Sequence, residues 1–412
     1  MYDGGVGRER YLRAAIGLAL VVAGAGTARA QEFPAVADRD FTIDLHQGAV
    51  LGSGRIIGMG GAAQGLAQGS SGALFNPAAP AARADTSTKN FDWDFHFDIL
   101  NTSLGSDFDN NGILQESEFG FLKGPVVTAG LVGQYGCWGL GFSGVFAEQQ
   151  LEERDDGSTV VPQAVVGRVA LARALLDYQL MVGVGFRAGT FSMALEEDSR
   201  RQELFSISGS SLEAGAIWRP HHLDLRAGAA AGLPVSSEDV TSDECDPLDC
   251  EGFILPDRAA LPWQVSAGAA WRFGPTPWNR VVAARWRDEK SLIVAADLVV
   301  TGRVPDGYGL EAFARQELQP SGRSISWSPR AGAEYEWVPG RFRLRAGAYW
   351  EPARFRDPAG KEIVGRAHGT LGLDLRVWQF HFWGKDFRLR MSITGDAARD
   401  YGNGGLSLGF WG

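Results

Sequence analysis

The stretch RFRLRAGAYW, residues 341–350, alternates arginine with apolar side chains from its first residue onward. A period of two residues is typical of an extended strand, in which successive side chains point to opposite faces. One face of this strand is therefore basic and the other is apolar. In a soluble β-sandwich the apolar face would form the core, whereas in a membrane barrel it would meet lipid and the arginines would line a wet lumen. The rest of the chain has to decide between these two architectures.

Four other segments, widely separated in the chain, carry the same alternation of charged and apolar side chains. In NFDWDFHFDI, for example, Asp and His residues alternate with Phe, Trp and Ile. A half-buried soluble strand has the same period, so one such segment decides nothing, but the contrast between the two faces recurs in all of them. The four segments are 90–99, 223–230, 365–377 and 387–394.

Candidate strands can be counted along the whole chain. Fourteen of them begin near residues 90, 125, 138, 165, 179, 204, 222, 262, 291, 324, 341, 365, 387 and 404. The number is even, and long polar connections alternate with short ones, as expected when loops face outward and turns face the periplasm. The sequence therefore predicts an all-β transmembrane antiparallel barrel of about fourteen strands over residues 90–412. Residues 274–290 are an exception, because this connection is too long for a tight turn, and we interpret it as further strand or a small helix.

The N-terminus has the pattern of a secretory signal peptide over residues 1–30. Three arginines precede the apolar run AAIGLALVVAGA, and an A-x-A cleavage site ends at Ala30. A membrane anchor is the weaker alternative, because the apolar run is shorter than the roughly 20 residues of a transmembrane helix. Together with the strand pattern, the signal peptide predicts a protein of the bacterial outer membrane.

The composition argues against several classes of function. The chain has 55 glycines, 13 tryptophans and 23 phenylalanines in 412 residues, which favours a β protein over a helical one. Its net charge of −10 argues against a nucleic-acid partner, because such footprints are basic. The motif G-x-S-x-G is missed at its last position by GFSGV, residues 141–145, so we predict no enzyme and assign no catalytic residues.

Residues 31–89 are rich in Gly, Ala and Ser and lack the alternation of a membrane strand. They form either a plug that folds into the lumen or a periplasmic extension. Their central stretch, GMGGAAQGLAQGSSGALFNPA, resembles the N-terminal region of the FadL/TodX family of outer-membrane transporters for hydrophobic compounds. The triplet Asn76, Pro77 and Ala78 falls where these proteins carry Asn-Pro-Ala, and the late hairpin RAGAEYEWVPGRFRLRAGAYWEPARF is also similar to theirs.

The resemblance implies a fourteen-stranded barrel with an N-terminal plug. It further implies passive uptake of hydrophobic small molecules, such as long-chain fatty acids, by a protein surrounded by outer-membrane lipids. The segment NGGLSLGF, residues 403–410, resembles the terminal strand that the barrel-assembly machinery reads, which makes that machinery an expected partner. Barrels that assist secretion share the N-terminal pattern, so a structural or secretion-accessory barrel without transport activity is the alternative.

Arginines gather on one face of the last predicted strands, and two interpretations remain open. In the first interpretation, the arginines form an ion-pair network with the acidic first strand, and this network would hold the barrel rigid. Alternatively, they bind the anionic head group of a ligand, such as a carboxylate. In the second case the ligand-binding candidates are Arg343, Arg345, Arg366, Arg376, Arg388 and Arg390.

The loop DFDNNGILQESE, residues 107–118, matches the calcium-loop pattern D-x-[DN]-x-[DN]-G-x5-E. A calcium ion would take oxygen ligands from side chains and one backbone carbonyl, with a bidentate glutamate closing the shell. A solvated acidic loop is the alternative, since Asp, Asn and Gly are common in loops. The predicted metal ligands are Asp107, Asp109, Asn111, Ile113, Gln115 and Glu118.

The chain has three cysteines, and two of them lie close together in an acidic loop. Because exported chains oxidise, Cys245 and Cys250 are predicted to form a disulfide, and a metal site is the weaker alternative. Cys137 falls on the other side of the membrane in this topology, so we expect it to be a buried or free thiol.

Overall fold

In a computed structural model, the described residues are 33–84, 87, 90–102, 104–114, 124–151, 158–197, 200–237, 240, 245–280, 286–382 and 385–410. The predicted signal peptide, residues 1–30, lies outside them. In chain order the strands are β1 (Thr42–Asp44), β2 (Phe91–Asn101), β3 (Pro125–Tyr135), β4 (Trp138–Glu148), β5 (Thr159–Leu175), β6 (Leu180–Glu197), β7 (Arg200–Trp218), β8 (Leu225–Gly232), β9 (Val235–Ser236), β10 (Arg258–Leu261), β11 (Gln264–Phe273), β12 (Leu292–Thr301), β13 (Gly307–Gly309), β14 (Ser326–Val338), β15 (Phe342–Glu351), β16 (Arg366–Phe382), β17 (Lys385–Ala398) and β18 (Tyr401–Gly409). The helices are α1 (Gly54–Gly58), α2 (Gly69–Ala73) and α3 (Leu310–Ala314), and residues Ala79–Ala81 form a 3-10 turn.

Fourteen of these strands close into an antiparallel barrel, so the predicted strand number and fold class are confirmed. The strands follow one another in sequence around the barrel, from β2 to β8 and then through β11, β12 and β14 to β18. The last strand, β18, pairs with β2 and closes the sheet. Each predicted strand corresponds to one of the fourteen, although β5 begins at Thr159, earlier than expected, because the strand extends beyond its apolar segment.

The outer surface of the barrel is apolar. Phe142, Val184 and Leu371 are 48%, 63% and 69% exposed, and each lies on an outward-facing position of its strand. Exposed apolar residues cover this face strand after strand, far beyond the patch size that water-soluble monomers present. Of the two architectures that the alternating strands allow, the protein therefore has that of a membrane barrel, whose apolar face meets lipid. Among the described residues, no helix is long and apolar enough to cross a membrane.

The two ends of the barrel differ. At one end, here called the turn end, short connections join β3 to β4 and β14 to β15, and the chain ends nearby. The other end, here called the loop end, carries the longer connections and a four-stranded sheet in the order β13, β1, β10, β9. In this sheet β1 runs parallel to both β10 and β13. The N-terminal residues of the described chain are thus held at the loop end.

Residues 46–84, here called the hatch, cross the inside of the barrel from the loop end to the turn end. Helix α1 contacts β15, β16, β17 and β18, whereas the 3-10 turn contacts the other side of the barrel, on β3 to β6. Of the two alternatives that the sequence left open for this region, these contacts favour a plug within the lumen.

Wall glycines bring the hatch backbone into direct contact with the strands. A Cβ atom on Gly332 would lie 2.3 Å from the carbonyl oxygen of Met59, and one on Gly347 would lie 2.2 Å from the nitrogen of Gly60. Both distances are far below any tolerable contact, so these positions accept only glycine. The small residues of the hatch and of the wall therefore fit each other.

The long connection between β11 and β12, interpreted above as further strand or a small helix, is described only in part, because residues 281–285 lie outside the described residues. In its described residues, 274–280 and 286–291, it contains neither strand nor helix. Instead Trp278 packs into the barrel among apolar hatch and wall side chains.

Candidate functional site

A cavity of about 800 Å³ lies between the hatch and one side of the barrel wall. The hatch residues Gly61, Gln64 and Phe75 face it from the turn end. Its wall comes from the loop-end halves of β4 to β8, β11 and β12, and the N-terminal residues beside β1 cover it from the loop end. The volume is in the range of sites for drug-sized ligands.

The hatch residues on the turn-end side of the cavity, among them Gln64 and Phe75, are here called the floor. Asn76 of the Asn-Pro-Ala triplet attaches this floor to the barrel wall. Asn76 is fully buried, and its Nδ2 donates to Oε1 of Gln64 at 2.8 Å and to the carbonyls of Ala216 and Ala229 at 3.2 and 3.1 Å. Its Oδ1 accepts a hydrogen bond from the N–H of Ala78 at 2.9 Å. One side chain thus joins the hatch to β7 and β8.

Pro77 and the rest of the triplet lie against wall glycines. A Cβ on Gly183 would lie 2.1 Å from the carbonyl oxygen of Pro77, and one on Gly215 would lie 2.2 Å from Oδ1 of Asn76. Ala78 is fully buried beside them. The triplet therefore serves to dock the hatch, and it reaches the cavity only through Pro77.

Polar side chains of β11 and β12 also hold the floor of the cavity. The side chain of Gln64 donates from Nε2 to Oγ of Ser266 at 2.8 Å. The backbone N–H groups of Ala63 and Gln64 both donate to Oδ2 of Asp297, at 2.6 and 2.8 Å. Because a buried carboxylate is strongly stabilised by such bonds, Asp297 fixes this part of the hatch on β12.

Four arginines line the cavity, Arg168, Arg187, Arg330 and Arg315, and their surroundings differ. Arg187 donates from Nε to Oγ of Ser211 at 2.7 Å and also to the carbonyl of Leu233. Arg168 lies 3.6 Å from the carboxylate of Glu213. Both of these guanidinium groups are therefore partly satisfied by the wall.

Arg330 is the third cavity arginine. Its Nε donates to Oγ of Ser328 at 3.3 Å, and its guanidinium lies 5.9 Å from the ring centre of Tyr349. Among the described residues, no carboxylate lies within ion-pair distance of it. The carboxylate of Asp297 attracts this guanidinium from beyond ion-pair distance, so N–H groups of Arg330 remain as donors for an anion in the cavity.

His46 belongs to the hatch and lines the same cavity. Burial holds its pKa well below the usual range, and the positive charges of Arg354 and Arg330 lower the pKa further. The imidazole is therefore neutral near pH 7, and the positive charge at this end of the cavity resides on the arginines.

The six arginines predicted to bind a ligand do not line the cavity. Arg345 is 2% exposed and lies between two carboxylates, with Glu334 at 2.6 Å and Asp374 at 2.8 Å. Arg390 pairs with the same Asp374 at 2.5 Å, and Arg343 pairs with Glu336.

The other three arginines are also engaged. Arg366 pairs with Glu351 at 2.5 Å, and Arg388 holds Asp288 through two hydrogen bonds of 2.5 and 2.8 Å. Arg376 donates to Oε1 of Gln379 at 3.0 Å. This arrangement matches the ion-pair alternative, although the acidic partners come mainly from neighbouring strands and turns and not from β2. The ligand-binding role of the six stays a prediction.

Two of the sequence-predicted sites lie at the loop end. The sulfurs of Cys245 and Cys250 are bonded in a disulfide, and Cys137 is a free, partly buried thiol near the turn end. In the loop 107–114, Asp107 accepts hydrogen bonds from the backbone N–H groups of Asn111 and Gly112, each at 3.1 Å. Gly112 has a φ of +79°, as the sharp turn of the predicted calcium loop requires.

The calcium prediction is only partly represented in the structure. Gln115 and Glu118 lie outside the described residues. In the part of the chain that the structure describes, no group of three or more His, Cys, Asp or Glu side chains is arranged to hold a metal ion. Burial raises the pKa of Asp109 well above its usual range, and the carboxylates of Glu311 and Asp107 raise it further.

Sequence reasoning missed the four cavity arginines. Arg168 and Arg187 occupy alternating positions in the strand segments VVGRVALARAL and VGVGFRAGT, so the same period of two could have placed them on the inner face. Arg330 lies in RAGAEYEW, next to the stretch that decided the fold. What the pattern does not reveal is which inward arginine meets a carboxylate.

No family model and no curated protein match the sequence. Solved structures match the fold. A FadL homologue from Pseudomonas aeruginosa superimposes with a TM-score of 0.55 at 13% identity, over 90% of this chain and 99% of that one. The toluene transporter TodX from Pseudomonas putida has a TM-score of 0.51 at 12% identity, over 91% of this chain and 99% of its own. The monoaromatic hydrocarbon channel CymD has a TM-score of 0.50 at 11% identity, over 87% and 96%.

The chain therefore has the FadL/TodX-type fold. Its closed barrel with an apolar outer surface is the architecture of an outer-membrane protein.

Proposed function

We propose that this protein is an outer-membrane channel for the passive uptake of small hydrophobic molecules. The observation that carries the proposal is the cavity of about 800 Å³ between hatch and wall, which has apolar surface from Leu74, Phe75 and Val299. A barrel that only supported the membrane or assisted secretion would not need a space of this size behind its loops. The likeness to TodX and CymD, which carry aromatic hydrocarbons, supports the same conclusion.

We further propose that the ligands include amphipathic acids such as long-chain fatty acids. An alkyl chain gains ~0.8 kcal/mol for each buried CH₂ group, so the apolar wall supplies most of the affinity. The carboxylate would meet Arg330, because this arginine lines the cavity and, among the described residues, has no carboxylate within ion-pair distance. One charge-assisted hydrogen bond then sets orientation and the preference for acids.

The test compares wild type with Arg330→Ala and a matched control, Arg303→Ala, which removes an exposed arginine outside the cavity. Binding of a labelled fatty acid and of its methyl ester is measured on purified protein. We expect Arg330→Ala to weaken acid binding about tenfold and ester binding little, while Arg303→Ala changes neither.

Uptake of the same compounds into cells with and without the gene tests the channel itself. If no apolar compound depends on the protein for binding or uptake, the structural or secretion-accessory alternative replaces the proposal. If esters and hydrocarbons bind as well as acids in wild type, the channel remains and the acid preference is wrong.

We also propose that the loop 107–118 binds calcium. The carboxylates of Glu311 and Asp107 repel the buried carboxylate of Asp109, and a divalent cation would relieve this repulsion. Glu118→Gln should lower calcium affinity about tenfold, because a bidentate glutamate would be lost. Asn110→Ala is the control, since its side chain lies against the carbonyl of Val364 and not in the ligand shell. Calorimetry without any heat of binding in wild type would refute this proposal.

A further inference from the structure

A tryptophan of the turn between β11 and β12 lies inside the barrel. Trp278 is only 4% exposed, although it belongs to a turn at the end of the barrel that should be open to water. Its apolar cluster includes the wall residues Ala270, Ile293 and Ala295 and several hatch residues. Trp278 and Asn279 of residues 274–280, here called the inserted turn, are therefore buried beneath the hatch, whereas Gly274, Pro275 and Arg280 are exposed.

The inserted turn is held in this position by hydrogen bonds at both of its central residues. The N–H of Trp278 donates to Oδ1 of Asp224 at 2.6 Å. The side chain of Asn279 is buried, and its Nδ2 donates to the carbonyls of Pro220, Leu223 and Leu225 at 3.0, 2.9 and 2.8 Å. A buried amide whose two N–H donors are shared among three carbonyl acceptors is a specific attachment, since losing it would leave carbonyl groups without this donor.

Arg226 links the inserted turn to the hatch. Its guanidinium lies 4.0 Å from the ring centre of Trp278, a close cation–π contact. Its Nε donates to Oδ1 of Asn279 at 2.8 Å, and its NH1 donates to Oε1 of Gln68 in the hatch at 3.0 Å. The wall, the inserted turn and the hatch therefore share one arginine.

The hatch is one layer thick at this place. Ala63 and Phe75 line the cavity on the loop-end side of the hatch. The same two residues belong to the cluster of Trp278 on the turn-end side. A molecule in the cavity is thus separated from the turn end by the hatch floor and by Trp278 behind it.

We propose that Trp278 is a positioning residue that holds the hatch closed from the turn end, and that the lumen opens when the inserted turn withdraws. This inference rests on the proposed channel function. The physical basis is the apolar contact between the indole of Trp278 and the hatch floor. Without the indole, the hatch residues of this cluster would lose van der Waals contacts on their turn-end side.

The experiment measures ion current through purified full-length protein in planar bilayers. The variants are Trp278→Ala, Trp278→Phe and, as a matched control, Trp286→Ala. Trp286 lies near the same turn end but packs against Arg388, outside the hatch cluster. Heat-dependent gel mobility first confirms that each barrel is assembled.

We expect Trp278→Ala to raise the fraction of time with open current about tenfold or more over wild type, since a large buried side chain is removed. Trp278→Phe should restore most of the closed state, and Trp286→Ala should resemble wild type. Equal currents in wild type and an assembled Trp278→Ala barrel would overturn the proposal, as would an equally large effect of Trp286→Ala.

If Trp278→Ala does not assemble, Asn279→Ala keeps Trp278 and removes the bonds of Asn279 to the neighbouring turn, to β8 and from Arg226. It should also raise the open fraction, and no increase would overturn the proposal. The current reports opening whether or not a hydrophobic ligand is carried. An increase without any ligand uptake would therefore support the closure and count against the channel function alone.

Discussion

The two sides of the lumen solve the problem of a wide barrel in opposite ways. On the side of β14 to β17, paired charges fill the space: Arg345 lies between Glu334 and Asp374, and Arg55 of the hatch reaches Glu334 at 3.2 Å. On the side of β4 to β8, small inward residues such as Ala230 and Gly232 leave a cavity. Paired charges therefore fill the lumen on one side, whereas small residues leave an open cavity on the other.

The largest expected effect comes from breaking the charged side. Asp374 is fully buried and pairs with both Arg345 and Arg390. Asp374→Ala leaves two buried cations with less compensation, which should cost about 3–5 kcal/mol of stability. Glu213→Ala on the cavity side removes a looser pair, with 3.6 Å between its charged groups, and should cost clearly less. Urea unfolding in detergent, followed by gel mobility, checks the contrast, and equal losses would mean that the two sides do not differ in this way.

An intermediate effect is expected from filling the cavity. Ala230 lines the cavity, whereas its neighbour Ala229 is exposed on the outer face of β8. Ala230→Trp should weaken ligand binding about tenfold or more by occupying the site, while Ala229→Trp adds an outward ring in lipid and should leave binding unchanged. Binding of a labelled fatty acid to both variants measures this. Unchanged affinity in Ala230→Trp would place the ligand elsewhere.

The smallest expected effect concerns pH at the turn end of the charged side. A hydrogen bond from Arg388 lowers the pKa of Asp288 below its usual 3.8, while burial opposes this and the charges of Arg388, Arg376 and Arg390 add to it. A carboxyl with a depressed pKa stabilises the fold above its unfolded pKa, and the contribution is lost as the pH falls.

Because the side chain of Asp288 is 44% exposed, the loss should be below about 1 kcal/mol, between about pH 5 and pH 2. Thermal unfolding of wild type should show a slightly steeper decline over this range than Asp288→Asn. Parallel pH profiles would show that this pair contributes nothing measurable.

Much of the fold could be predicted because it depends on local pattern. The alternation in residues 341–350 and its repeats indicated the strands, and the alternating loop lengths indicated how they connect. The position of β5 was less accurate, since its loop-end half packs against the N-terminal residues and loop residues such as Phe253 and not against lipid. The disulfide followed from two nearby cysteines in an exported loop.

The candidate site was harder to predict, because it depends on which residues meet across the lumen. Arg330 and Arg345 both lie on inward faces of adjacent strands, and the sequence does not distinguish them. Arg345 meets Glu334 across the strand pair and Asp374 on the next strand, whereas Arg330 faces the cavity. Trp278 was unassigned for the same reason, since nothing in its neighbourhood shows that the turn folds inward.

The sequence by itself determined the closed barrel, its two faces, the long and short ends and the presence of a small-residue segment before the first barrel strand. These features follow from side-chain alternation, turn composition and residue size, which are properties of short stretches of chain. Only the tertiary structure decided which arginines are paired, where the cavity lies and how the hatch is held by Asn76, Asp297 and Trp278. Such contacts join residues that are distant in sequence, and their partners depend on strand register and on the path of the hatch across the barrel.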